Sequence, residues 1–193
     1  MVSAVLAMTA ATGMVASSAA IDTQPTSEQI RAALVRGKEA AREHLPPDTF
    51  YVRFGAADEL HPGGFLITKL GGLSVMAAHM ALRGLEPSQS DITHVIETPT
   101  MLVSTVIFGD DQSFAIDSYM VLDQGGTTIK PMTVRFDGQA DRSAAWPHKP
   151  RFKAKVMASF NYADFNPAAK TTVTVFPANG EEVMFSLDFA QIE

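Results

Sequence analysis

Over residues 151–162 the side chains alternate without a break. Phe152, Ala154, Val156, Ala158 and Phe160 hold the even positions, and Arg151, Lys153, Lys155, Met157 and Ser159 the odd ones. A helix would scatter both sets around its circumference, whereas a strand sends successive side chains to opposite faces. The run therefore predicts a β-strand with one dry face and one wet one. The same argument applies near the end of the chain. There residues 171–176 and 182–189 are joined through Pro177-Ala178-Asn179-Gly180, and Val183, Phe185, Leu187 and Phe189 again fall on one side.

Three more β-rich runs, residues 100–108, 113–122 and 127–136, are separated by Gly109-Asp110-Asp111-Gln112 and Asp123-Gln124-Gly125-Gly126. Spacers of that length with those turn formers predict hairpins, hence an antiparallel meander. Pro131 cannot donate to a ladder, so the third run belongs at an edge or a bulge. Six short strands with tight turns predict a mostly β, α+β chain: an antiparallel two-sheet sandwich, immunoglobulin-like, over residues 100–193.

The first half reads differently. Thr26-Ser27-Glu28-Gln29 forms a capping box ahead of Ile30, Leu34, Ala41 and Leu45 at helical spacing, which predicts a helix over 27–45 stopped by Pro46-Pro47. Short strands are expected over 49–54 and 65–70, broken by Gly71-Gly72. A helix apolar on nearly all sides follows over 73–83, with Gly84 as its stop. Ser88 or Ser90 caps a further helix through about Glu97, closed by Pro99. Residues 21–99 thus read as a cap of two or three helices packed on one side of the sandwich, with residues 21–193 forming one domain.

Residues 1–20 carry no charge and end in Ser18-Ala19-Ala20. Such a run fits the apolar region and cleavage site of a signal peptide, although the usual basic stretch before it is missing. Gly13 and the many hydroxyl residues make a retained spanning anchor the weaker reading. The expected destination is the periplasm or the exterior, with no stable membrane insertion after cleavage.

Zero cysteines exclude a disulfide framework, a thiolate metal site and a cysteine nucleophile. Fifteen Lys and Arg against 21 Asp and Glu give a net charge of −6, which argues against a nucleic-acid binder. The signatures of α/β-hydrolases, zinc peptidases, phosphate-binding loops and EF-hands are absent. Gly72-Leu73-Ser74-Val75-Met76, for instance, has Met where a nucleophile elbow needs its second Gly. No cofactor is called for.

What remains points to binding. Arg151, Lys153 and Lys155, with Lys149 just before them, form a basic row able to attract an anionic ligand or an acidic envelope protein, or simply a hydrated face that discourages edge pairing. Trp146, between Ala145 and Pro147, is either a recognition anchor or a plug for the end of the sandwich. Met76, His79 and Met80 lie at i, i+3 and i+4 and could offer soft ligands to Cu(I), or fill gaps in a buried helix.

Asp58, Glu59 and His61 share a loop, and with His94 or His148 they could build a hydrolytic or metal-dependent site; a solvated turn is the plainer account. Asp110-Asp111 could hold Ca²⁺ only if further oxygens converged. The sequence thus favours an exported, non-catalytic, β-rich binding module, with the small enzyme and the copper carrier as alternatives.

Overall fold

Thr26 opens the first helix as its sequence requires. Its hydroxyl accepts from Gln29 N–H at 3.3 Å while the Gln29 side chain accepts from Thr26 N–H at 2.8 Å. Helix α1 spans Ser27–Arg42, three residues short of its predicted end. His44, at φ 57°, turns the chain left-handed, so that Leu45 N–H reaches Ala40 O and His44 N–H reaches Ala41 O. This two-bond closure satisfies the last carbonyls before the prolines arrive. The computed structural model describes residues 20–192, and the candidate signal segment, Ala20 apart, lies outside them.

A 3-10 turn, Pro47–Phe50, leads into β1, Val52–Gly55, which pairs antiparallel with β2, Gly63–Ile67. Gly71-Gly72 does not break the chain. Both glycines lie in the first turns of α2, Lys69–Ala81, whose cap is Thr68, its hydroxyl accepting from Gly71 N–H at 3.0 Å. A Cβ on Gly71 would lie 3.0 Å from Phe50 O, so the missing side chain permits a close approach rather than a turn. Gly84, at φ 71°, ends this region as predicted. Helix α3, Gln89–Glu97, carries a second capping box between Ser88 and Asp91.

Helices α1 and α2 meet through small residues. A Cβ on Gly37 would lie 2.3 Å from Ser74 O, and Ser74 Oγ donates to Ala33 O at 2.9 Å. Ala33, Leu70 and Leu73 are buried there with Ile30, Leu34, Met76 and residues of α3 around them. This cluster is separate from the one between the sheets.

The second half forms β3 (Thr100–Gly109), β4 (Tyr119–Gln124), β5 (Thr127–Ile129), β6 (Thr133–Phe136), β7 (Asp141–Arg142), β8 (Phe152–Asn161), β9 (Lys170–Phe176) and β10 (Val183–Asp188). Two antiparallel sheets result. The larger, six-stranded one runs β1-β2-β3-β8-β6 with β7 also on β8; the four-stranded one runs β10-β9-β4-β5.

Of the predicted meander the second hairpin forms, β4 pairing antiparallel with β5 around Gly125-Gly126, but the first does not. β3 pairs with β2 and β8, never with β4. Residues 113–117 are turns instead of strand and Ser118 is irregular, and Phe114 and Ala115 are buried there as the chain crosses between sheets. The run 127–136 also divides at Pro131, with β5 on the edge of one sheet and β6 on the edge of the other.

One buried cluster draws from both sheets. Leu66, Met101, Val103, Ile107, Val156 and Phe160 come from the larger sheet, and Met120, Leu122, Val173, Val175 and Phe185 from the smaller. The even positions of β8 point into this cluster, as their alternation requires. Among the described residues no helix is long and apolar enough to cross a membrane.

Candidate functional site

The odd positions of β8 have no second sheet to meet. In the β3–β8 ladder Lys155 lies opposite Val106 and Lys153 opposite Phe108, so these four side chains share the outer face of the larger sheet. On the far side of β3, Gly63 faces Val106 and Phe65 faces Ser104. Gly63 bears no side chain because a Cβ there would lie 2.3 Å from Ala56 O. The Phe65 ring stacks on Tyr51, centroids 4.4 Å apart. A floor of Val106, Phe108 and Phe65 results, with two ammonium groups at one side.

Two loops flank this floor and with it line an open cleft of about 800 Å³. One wall is the β1–β2 loop, which carries Asp58, Glu59 and His61. The Asp58 carboxylate accepts from Leu60 N–H at 2.8 Å, from His61 N–H at 2.9 Å, and lies 2.9 Å from His61 Nδ1. Those bonds, the Leu60 amide first, hold its carboxyl below the usual carboxylate range. The other wall carries Asp137, Gln139 and Asp141. Asp137 is fixed to β8, its carboxylate accepting from Lys155 N–H at 2.7 Å while its own N–H donates to Lys155 O at 3.1 Å. Asp141 faces Lys153 across the β7–β8 pair.

The charges form a pattern. Lys153 and Lys155 have no ion-pair partner within 4 Å among the described residues, whereas Arg53, at the cavity's edge, is paired with Asp48. Asp58 and Glu59 line one rim, Asp137 and Asp141 the other. Among the described residues, no Ser, Thr, Cys or Tyr lines the cleft.

Two candidate sets that are distant in sequence thus meet in one place: Lys153 and Lys155 from the basic row, and the Asp58, Glu59 and His61 loop. The remaining candidates lie elsewhere. Arg151 precedes β8, and its backbone N–H donates to Asp110 Oδ1 at 3.3 Å; Lys149 Nζ is 2.6 Å from the same carboxylate. These contacts, that with Lys149 foremost, hold the Asp110 carboxyl below its ordinary range. Asp111 takes a different partner, accepting from Ser113 N–H and Oγ, so the two neighbouring acids do not converge on a common cation.

Trp146 lies between the Phe152 ring, 5.3 Å away, and the Arg142 guanidinium, 4.7 Å from its centroid, and is 40% exposed. Met76 packs into the helical cluster, Met80 is half-buried and His79 faces solvent. His94 lies on α3 and His148 in the turn after Trp146, neither of them in the cavity. Among the described residues no three His, Asp or Glu side chains are grouped to hold a metal ion.

Sequence reasoning missed Arg53, Asp137, Asp141 and the apolar floor. Val106 and Phe108 alternate with Thr105 and Ile107, which marks them as the second face of β3, but only the β3–β8 pairing shows what they share it with. No protein-family model matches the sequence, and a search of curated proteins found no relative.

Proposed function

We propose that this chain is an exported, non-catalytic module of the bacterial cell envelope that binds a small anionic ligand with an apolar body in the cavity over its larger sheet. The observation that carries this reading is the pair Lys153 and Lys155, two ammonium groups without carboxylate partners among the described residues, beside Val106, Phe108 and Phe65. Two residues of strand separate them by roughly 6.6 Å, a span that one carboxylate, sulfonate or phosphate can bridge. The acidic rims define the ligand further. An extended polyanion would have to pass Asp58 and Glu59 or Asp137 and Asp141, whereas a single anionic group on a compact molecule enters between them.

Export is supported by the uncharged residues 1–20 with their Ser18-Ala19-Ala20 ending, and N-terminal sequencing of the exported protein tests it. The architecture that fits best is an immunoglobulin-like sandwich with the helices at one side. One core fed by both sheets supports it, as do the chain's three steps between sheets, at β3 to β4, β5 to β6 and β8 to β9.

The binding test uses 8-anilinonaphthalene-1-sulfonate, an apolar body with one anionic group. The folded protein is expected to bind it at one site, in a salt-sensitive way, with heparin failing to compete. Replacing Lys153 and Lys155 together by Ala should weaken it at least about tenfold, equivalent to about 1.4 kcal/mol. Unchanged affinity in the double variant, or displacement by heparin, would overturn the reading.

A second reading has one observation in its favour. The Asp58 carboxylate orients His61 through Nδ1, leaving Nε2 for acid–base work in the same cavity. Turnover of an ester or amide panel that disappears in His61→Gln would support it over the binding module.

A further inference from the structure

We propose that Asn179 is a site of spontaneous, backbone-assisted deamidation, and that it is the susceptible asparagine among the chain's three. The reaction needs an asparagine side chain free to swing, a following backbone nitrogen free to attack it, and no bulky side chain on the attacking residue. Asn179 and Gly180 are both exposed in the loop joining β9 and β10. Gly180 has no Cβ and a φ of 140° that other residues rarely adopt. Among the described residues its N–H donates to no acceptor and the Asn179 side-chain amide makes no hydrogen bond; Asn179 is held only through its own N–H, 3.4 Å from Phe114 O.

The other two asparagines fail on chemistry visible in the same structure. Asn161 accepts from Ala163 N–H at 3.1 Å, and the nitrogen that would attack it, that of Tyr162, donates to Pro99 O at 2.9 Å. Asn166 accepts from Ala168 N–H at 2.9 Å and is followed by Pro167, which has no N–H to lose. At Asn179 the Gly180 nitrogen gives its proton to water and bonds to the side-chain carbonyl carbon. The carbon–nitrogen bond of the side-chain amide breaks, and ammonia leaves with a proton from solvent. Water then opens the five-membered imide at either carbonyl, leaving aspartate or isoaspartate at position 179. The product adds a negative charge next to Glu181 and Glu182. In the isoaspartate form it also lengthens the main chain by a methylene, beside the contact with Phe114.

Trypsin separates the candidates, since cleavage after Lys155 and Lys170 gives one peptide with Asn161 and Asn166 and another, residues 171–193, with Asn179 alone. The full chain, held folded at mildly alkaline pH, should accumulate the amide-to-acid mass gain in the 171–193 peptide, split into two chromatographic products. The 156–170 peptide should stay unchanged. Asn179→Gln, which keeps the amide but not the five-membered geometry, should abolish the gain. A synthetic peptide of residues 175–184 serves as the clock. If it converts while the folded chain does not, or if the gain persists in Asn179→Gln, the assignment is overturned.

Discussion

Strand β8 gives Val156 and Phe160 to the core on one side and Lys153 and Lys155 to the cavity on the other, so a single backbone serves two surfaces under different constraints. On the inner side every position is set by exclusion of water. Val156 and Phe160 are 0% exposed, and each is matched in the ladder by Thr105 and Met101, also fully buried. On the outer side Lys153 and Lys155 line a cleft together with the charged residues of two loops. If the proposed site is real, stability and ligand binding should be separable by substitution within these ten residues of chain.

The largest effect that tests this separation is on the inner side. Phe160→Ala removes a fully buried ring from the shared core and should cost about 3–5 kcal/mol in unfolding free energy. Chemical denaturation measures it; a loss below about 1 kcal/mol would mean that the core collapses around the gap. The counterpart on the outer side is Lys153→Ala with Lys155→Ala. This variant should change stability by no more than about 0.5 kcal/mol at each position, while weakening the sulfonate probe at least about tenfold. If the double variant unfolds as readily as Phe160→Ala, the two faces are not independent.

The same contrast explains what was legible in the sequence. Water exclusion leaves a periodic trace, so β8 and β10 could be read from alternation. The helix starts could be read from Thr26 and Ser88, because a capping box is a local bargain among four residues. Glycine could not be read so simply: Gly84 ends a helix because its φ is positive, whereas Gly71 lies inside one because Phe50 O comes close. The meander failed at residues 113–118, where turn-forming and apolar side chains are interleaved. Phe114 serves there as core in a crossing between sheets, a role that hairpin spacing does not encode. The site was legible in pieces only. Lys153 and Asp58 meet because β1, β2, β3 and β8 are adjacent in that order, and non-local pairing leaves no signal in either loop or strand taken alone.

A smaller effect sharpens the outer face. Asp141 lies opposite Lys153, and Asp141→Asn removes one rim charge without touching the core. The sulfonate probe should then bind a few-fold more tightly, consistent with at most about 1 kcal/mol between charges near 4 Å in water. The gain should vanish at high salt. A loss of affinity would place the carboxylate among the groups that hold the ligand.

The smallest effect concerns acid. Asp58, Asp91, Asp110 and Asp111 are all held below the ordinary carboxylate range by hydrogen bonds to amides, hydroxyls or Lys149, and all four lie outside the buried core. A carboxyl depressed in the folded state contributes stability above its unfolded pKa, about 3.9, and that contribution is lost as pH falls through the lower folded value. Stability should therefore decline below about pH 4 through groups in loops and caps, with no counterpart among the buried apolar positions of β8. Asp58→Asn should make that decline slightly shallower, since Asn keeps an acceptor for Leu60 N–H but no longer titrates. Denaturation midpoints at stepped pH measure the slope. An unchanged slope in Asp58→Asn would show that the turn holding His61 gains nothing from ionisation, and the rim's role would then be confined to the charge it presents to a ligand.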